Sequence, residues 1–158
     1  MKELLNILEK ILSLFVSLLI GGMMLWVFAL VITRYCFNFT PSYGEELARY
    51  MFVWVVFLSL PIVAKKGAHM AIEMITARLK GKAAKALRLL ADFFSLAFLS
   101  LMVWQGTLMV QKSSIQTSAA LEVPMSWVYA AIPVGCLIML ANVLSSFIAL
   151  IRTPADKL

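Results

Sequence analysis

Four long apolar runs, separated by short polar segments, dominate the chain. Between Lys10 and Arg34 lie 23 residues without a charge. At 1.5 Å of helical rise per residue they reach roughly 34 Å, enough to cross a hydrocarbon core of about 30 Å. The pattern predicts spans over residues 11–33, 47–64, 87–110 and 127–151. The second is short in its uncharged part, Tyr50 to Ala64. It becomes long enough once Leu47 and Ala48 join it and Arg49 snorkels to the interface. Leu4, Leu5, Leu8, Ile11, Leu12 and Phe15 share one helical face, so span 1 is expected to begin as an amphipathic turn or two at the surface. The start does not read as a cleaved signal peptide. Glu3 and Glu9 accompany Lys2 and Lys10, the apolar run is too long, and no small-x-small site ends it.

Between spans 2 and 3 the chain reads AIEMITARLKGK over residues 71–82. Ile72, Ile75 and Leu79 fall on one helical face, Glu73 and Lys80 opposite, with Arg78 and Lys82 flanking the apolar side. This predicts a short amphipathic helix lying in the interface and meeting anionic phospholipid. The other two connections read as loops. Residues 36–44 (CFNFTPSYG) hold Pro41, Ser42 and Gly44, and residues 112–125 are polar but poor in charge. Trp127 and Tyr129 then read as a membrane-interface aromatic pair.

Composition sharpens this picture. Hydrophobic residues make up 63% of the 158 and charged residues 14%, where soluble domains hold roughly 45–50% and about 25%. A soluble fold of this size could not hide so much apolar surface. The fold class is therefore an all-α integral membrane protein: four transmembrane helices plus the short interfacial helix, in a single membrane domain.

The net charge of +6 reflects an uneven spread of Lys and Arg. Eleven lie in the N-terminal tail, the 65–88 segment and the C-terminal tail, and three (Arg34, Arg49 and Lys112) lie on the other side. The positive-inside rule places both termini and the 65–88 segment in the cytoplasm. Lys65 and Lys66, with Arg78, Lys80 and Lys82, read as anchors at the inner interface. No aromatic–basic interleaving of the nucleic-acid kind is present in the polar segments, so no nucleic-acid partner is expected.

Candidate chemistry is sparse. The single histidine, His69, sits in the inner loop rather than at haem-ligating depth. Ser59, Ser95 and Ser145 have no histidine to activate them. Cys36 and Cys136 lack partners at metal-ligand spacing. No cofactor, metal or catalytic role is expected. Asp92 is the one acid inside an apolar stretch, which makes it a functional candidate, but Arg88 lies four residues earlier on the same face and offers local pairing. Glu45, Glu46 and Arg49 cluster at the external start of span 2. They support two readings. One is capping against the helix dipole, with Arg49 pairing to Glu45. In the other, one acid works with Arg34 to pin spans 1 and 2 together, or meets another subunit. Glu45 and Glu46 diverge by about 100° and cannot share one partner. Pro61 and Pro133 are expected to kink spans 2 and 4, and Gly21, Gly22 and Gly135 to permit close helix contact. The chain lacks the polar midplane site of a self-sufficient transporter, which argues that it supports another protein.

Four segments in order complete the picture: Arg34-Tyr35 after span 1, EELARY leading FVW over residues 45–54, KKGAHMAIE over 65–73, and WVYAAIPVG over 127–135. With the four-span layout and the length, this order resembles the small membrane subunit (the Q or DctQ type) of tripartite ATP-independent periplasmic (TRAP) transporters, across essentially the whole chain. The resemblance implies a bacterial inner-membrane protein that pairs with a large, M-type membrane subunit holding the substrate and sodium sites. It implies a periplasmic substrate-binding protein that delivers an organic acid, such as a C4-dicarboxylate or a sialic acid. The large subunit would move as an elevator against a fixed scaffold that the small subunit widens. Arg34, Glu45, Glu46, Arg49 and His69 would then be structural or docking residues. Gly44 departs from the Trp or Ser that many members place before the paired acids. Two other classes remain as alternatives: an independent small-molecule exporter relying on Asp92, and a membrane anchor for an enzyme complex.

Overall fold

A computed structural model of the chain describes residues 2–39, 41–76 and 82–152. Among the described residues five α-helices follow in order: α1 Lys2–Phe37, α2 Ser42–Thr76, α3 Lys82–Lys112, α4 Ser126–Tyr129 and α5 Ala131–Arg152. A 3₁₀ turn, Ser113–Ile115, extends α3. Four stretches are long and apolar enough to cross a membrane: Lys10–Phe37, Ser42–Ala64, Lys85–Ile115 and Ser126–Arg152. They contain the four expected spans.

The elements differ from expectation in three places. The first connection is far shorter than a 36–44 loop, because α1 runs to Phe37 and α2 begins at Ser42. Asn38 takes a left-handed backbone, φ 49°, and the Phe39 N–H turns back to the Thr33 carbonyl. Asparagine tolerates this conformation and so stops the helix. Second, α2 continues unbroken past span 2 to Thr76. Residues 71–76 therefore extend α2 rather than opening a separate 71–82 helix; residues 77–81 lie outside the described residues. Third, span 4 is two helices. Pro133 cannot donate to the Tyr129 carbonyl, and the helix breaks at Ala130. Pro61, fully buried, leaves α2 intact.

The helices pack as an open layer in the order α1, α2, α5, α3. Helix α1 lies antiparallel to α2, with Leu30 against Gly44 and Gly22 near Met51. Helices α2 and α5 are parallel neighbours, Phe57 against Gly135. Helix α5 returns along α3, with Gly106 against Ile132 and Pro133. The inner helices supply the core through Val55, Leu58 and Pro61 of α2 and Ala131, Cys136 and Leu150 of α5, joined by Leu99 of α3 and Val16 of α1. The outer helices are nearly bare: 6% of the apolar window of α1 or α3 is buried, against 17% for α2 and for the fourth span. That surface is stable only against lipid tails or another apolar protein face.

Candidate functional site: a clamp at one end of the helix layer

A group of polar contacts between elements lies at the end of the layer where α1 meets α2 and where α3 hands over to α4. Residues 116–125 fold there into a small hairpin. The Met125 N–H donates to the Gln116 carbonyl at 2.8 Å and the Ser118 N–H to the Val123 carbonyl at 2.9 Å. Thr117 and Pro124 face each other between these rungs. A non-hydrogen-bonded pair is where a proline, lacking an N–H, costs the ladder nothing. Glu122 closes the turn with φ 54°, a conformation uncommon for a residue with a side chain.

Glu46, half-buried near the start of α2, reaches into this turn. Its Oε2 accepts the N–H groups of both Ala120 and Leu121, each at 3.0 Å. Its Oε1 accepts the hydroxyl of Tyr50, one helical turn further along α2. The Leu121 N–H is shared with the Ser118 hydroxyl at 3.1 Å, and the Met125 sulfur lies 3.3 Å from the Tyr50 oxygen. Two successive amides directed at one carboxylate oxygen form an anion nest. Glu46 therefore binds the connector of the second half of the chain to the first helix pair.

A second tie joins α1 to α2. The Trp26 indole N–H donates to the Gly44 carbonyl at 3.0 Å. Gly44 is buried, and a side chain there would strike Leu30. The departure at Gly44 thus coincides with a close approach of two helices.

Of the residues singled out from sequence, Glu46 alone joins the clamp. Glu45, one position earlier, is exposed, as are Arg49 and Arg34, the latter in the last turn of α1. Spans 1 and 2 are tied by the Trp26 indole on the Gly44 carbonyl, whereas Glu46 ties α2 to the 120–121 amides. Trp127, 67% exposed, and the half-buried Tyr129 lie on α4 at the same end. Asp92 and Arg88 are both half-buried on α3, and their charges attract. Lys65, Lys66 and His69 fall on the C-terminal extension of α2 and Lys82 opens α3, their side chains outside the described residues; Arg78 and Lys80 lie outside the described residues altogether. Tyr50, Ser118, Met125 and Trp26 were not among the candidate site residues read from the sequence. Only Tyr50, at four residues from Glu46, carried a local signal. One further polar group sits within the apolar layer: the Asn142 amide nitrogen of α5 is buried with no acceptor among the described residues.

The fold and site define a four-span membrane protein with a clamp of inter-element polar ties at one end of its helix layer. Residues 23–153 match the family described as tripartite ATP-independent periplasmic transporters, DctQ component, and the chain belongs to that family. It is 26% identical over 110 residues to the isethionate TRAP transporter permease protein DctMQ of Oleidesulfovibrio alaskensis, covering 68% of this chain and 17% of that protein. It is 27% identical over 96 residues to a TRAP transporter small permease protein of Haemophilus influenzae, covering 61% of this chain and 60% of the other. With the sialic acid TRAP transporter small permease protein SiaQ of Vibrio cholerae, identity is 22% over 152 residues, covering 96% and 86%.

Proposed function

We propose that this chain is the small scaffold subunit of a TRAP transporter. It pairs with a large M-type membrane subunit for sodium-coupled uptake of an organic acid, of the C4-dicarboxylate or sialic acid type, delivered by a periplasmic binding protein. The observation that carries the reading is the DctQ family match over residues 23–153. The open layer supports it, since bare outer helices suit a subunit that widens a larger scaffold. So does the permease DctMQ, a much longer protein of which this chain spans 17%. The substrate pocket then belongs to the partners, in keeping with the absence of Asp, Glu, Lys, Arg and His from 11–33 and 123–151.

In this reading the protein lies in the bacterial inner membrane with both termini and the 65–88 segment in the cytoplasm. The eleven-to-three distribution of Lys and Arg supports that orientation. Lys65, Lys66, Arg78, Lys80 and Lys82 hold the inner face to anionic phospholipid, while Trp127 and Tyr129 mark the outer interface. Arg34, Glu45 and Arg49, exposed at the external end, are offered to the binding protein or the large subunit, and His69 to partners on the inner face.

The test is a mild-detergent pull-down of the tagged chain from its native membrane. A large polytopic protein in near-equal amount is expected, and deletion of the chain should abolish uptake of one organic acid. Recovery of the chain alone, or normal uptake without it, would defeat the reading.

A further inference from the structure

We propose that Glu46 is a positioning residue: its carboxylate fixes the pose of the 116–125 hairpin, so that the external surface offered to the soluble component is preformed. The inference rests on the scaffold-subunit reading above. An acid in the first turns of a helix is already stabilised by the helix dipole and by water. Glu46 instead reaches residues 74 and 75 positions away and uses both oxygens, one for two hairpin amides and one for Tyr50.

The contact determines the shape of the hairpin. The amides of Ala120 and Leu121 point the same way because the turn is tight and closes through Glu122 in a left-handed conformation. Without an acceptor opposite them, these N–H groups would turn to water and the turn would lose its reason to hold that backbone. The clamp also determines what the hairpin shows. Glu122 and Val123 lie exposed beyond the turn, and Ile115, 90% exposed, and Trp127 flank it at either base. A surface already ordered binds without the entropy of ordering it. A polar connector that served only to join α3 to α4 would need neither the strained turn nor a carboxylate from a distant helix.

The chemistry separates two substitutions. Glu46→Ala removes the acceptor. Glu46→Gln keeps one oxygen for the two amides and turns its NH₂ toward Tyr50, whose oxygen can accept. The experiment uses the chain in its complex with the large subunit, reconstituted in liposomes, with the soluble binding protein titrated in. Hydrogen exchange on the same complex reads the Ala120 and Leu121 amides directly. In Glu46→Ala these amides should exchange at least about tenfold faster. The KM for loaded binding protein should rise severalfold while the maximal rate stays close to wild type, and Glu46→Gln should restore both. Tyr50→Phe, which spares the amide contacts, should leave the exchange unchanged. Amides that stay protected in Glu46→Ala would overturn the proposal. So would an unchanged KM with a lower maximal rate and less assembled complex, which is the behaviour of a residue needed only for folding. If the wild-type complex supported no uptake, the scaffold-subunit reading would fall, and the exchange measurement would still judge the clamp.

Discussion

Gly135 of α5 stands directly against the main-chain carbonyl of Phe57 on α2. That carbonyl would ordinarily accept the N–H of the residue four positions on, but residue 61 is proline and has none to give. In a bilayer no water is at hand to compensate. The α-hydrogen of Gly135, pointing where a Cβ would stand, faces the freed oxygen and offers a weak C–H···O contact. Proline and glycine, on two parallel helices, thus answer one another at a depth of roughly 16 Å below Glu46.

Gly135→Ala should therefore be costly, because the new methyl meets main chain, which cannot move aside as a flexible side-chain end would. A loss of about 1–3 kcal/mol is expected, read as a lower Tm of the purified chain in detergent. Gly21→Ala is the control, since nothing lies within 4 Å of a Cβ there. It should leave Tm unchanged or raise it, as alanine is the better helix former. Equal losses from both would show that α2 and α5 do not pack through Gly135.

Trp26→Phe keeps most of the apolar bulk but deletes the indole N–H that reaches the Gly44 carbonyl. The expected cost is about 1 kcal/mol, confined to the attachment of α1, which packs mainly on α2. Faster hydrogen exchange along α1, with α3 and α5 unchanged, would bear this out. A uniform rise across all helices would contradict it.

The two cysteines test orientation without any substitution. Cys36 is exposed in the last turn of α1 and Cys136 is buried in α5. If the 65–88 segment is cytoplasmic, a membrane-impermeant maleimide should label Cys36 in intact spheroplasts and spare Cys136. Labelling of Cys36 only after lysis would reverse the topology.

Asp92→Asn should leave uptake at or near the wild-type rate. Asp92 is half-buried beside the charge of Arg88, and in a scaffold subunit no step of transport passes through it. Loss of uptake with normal complex assembly would instead place Asp92 in the transport machinery and revive the exporter reading.

The sequence by itself determined the class of the protein. Four long apolar runs and a one-sided spread of lysine and arginine are properties of composition along a line. Each helix satisfies its backbone from within its own segment, so helix number and approximate bounds need no knowledge of neighbours. The proline at 133 was visible as a source of distortion for the same reason. Tertiary structure decided the order α1, α2, α5, α3, because spans 1 and 4 are apolar around almost their whole circumference and the few polar groups of spans 2 and 3 do not choose a neighbour. It decided which glycine matters: Gly135 meets a carbonyl and Gly21 meets nothing. It also decided that Glu46, rather than Glu45, makes the clamp. The two acids are adjacent and chemically alike, and what separates them is the direction in which α2 turns each relative to a hairpin folded 74 residues later in the chain.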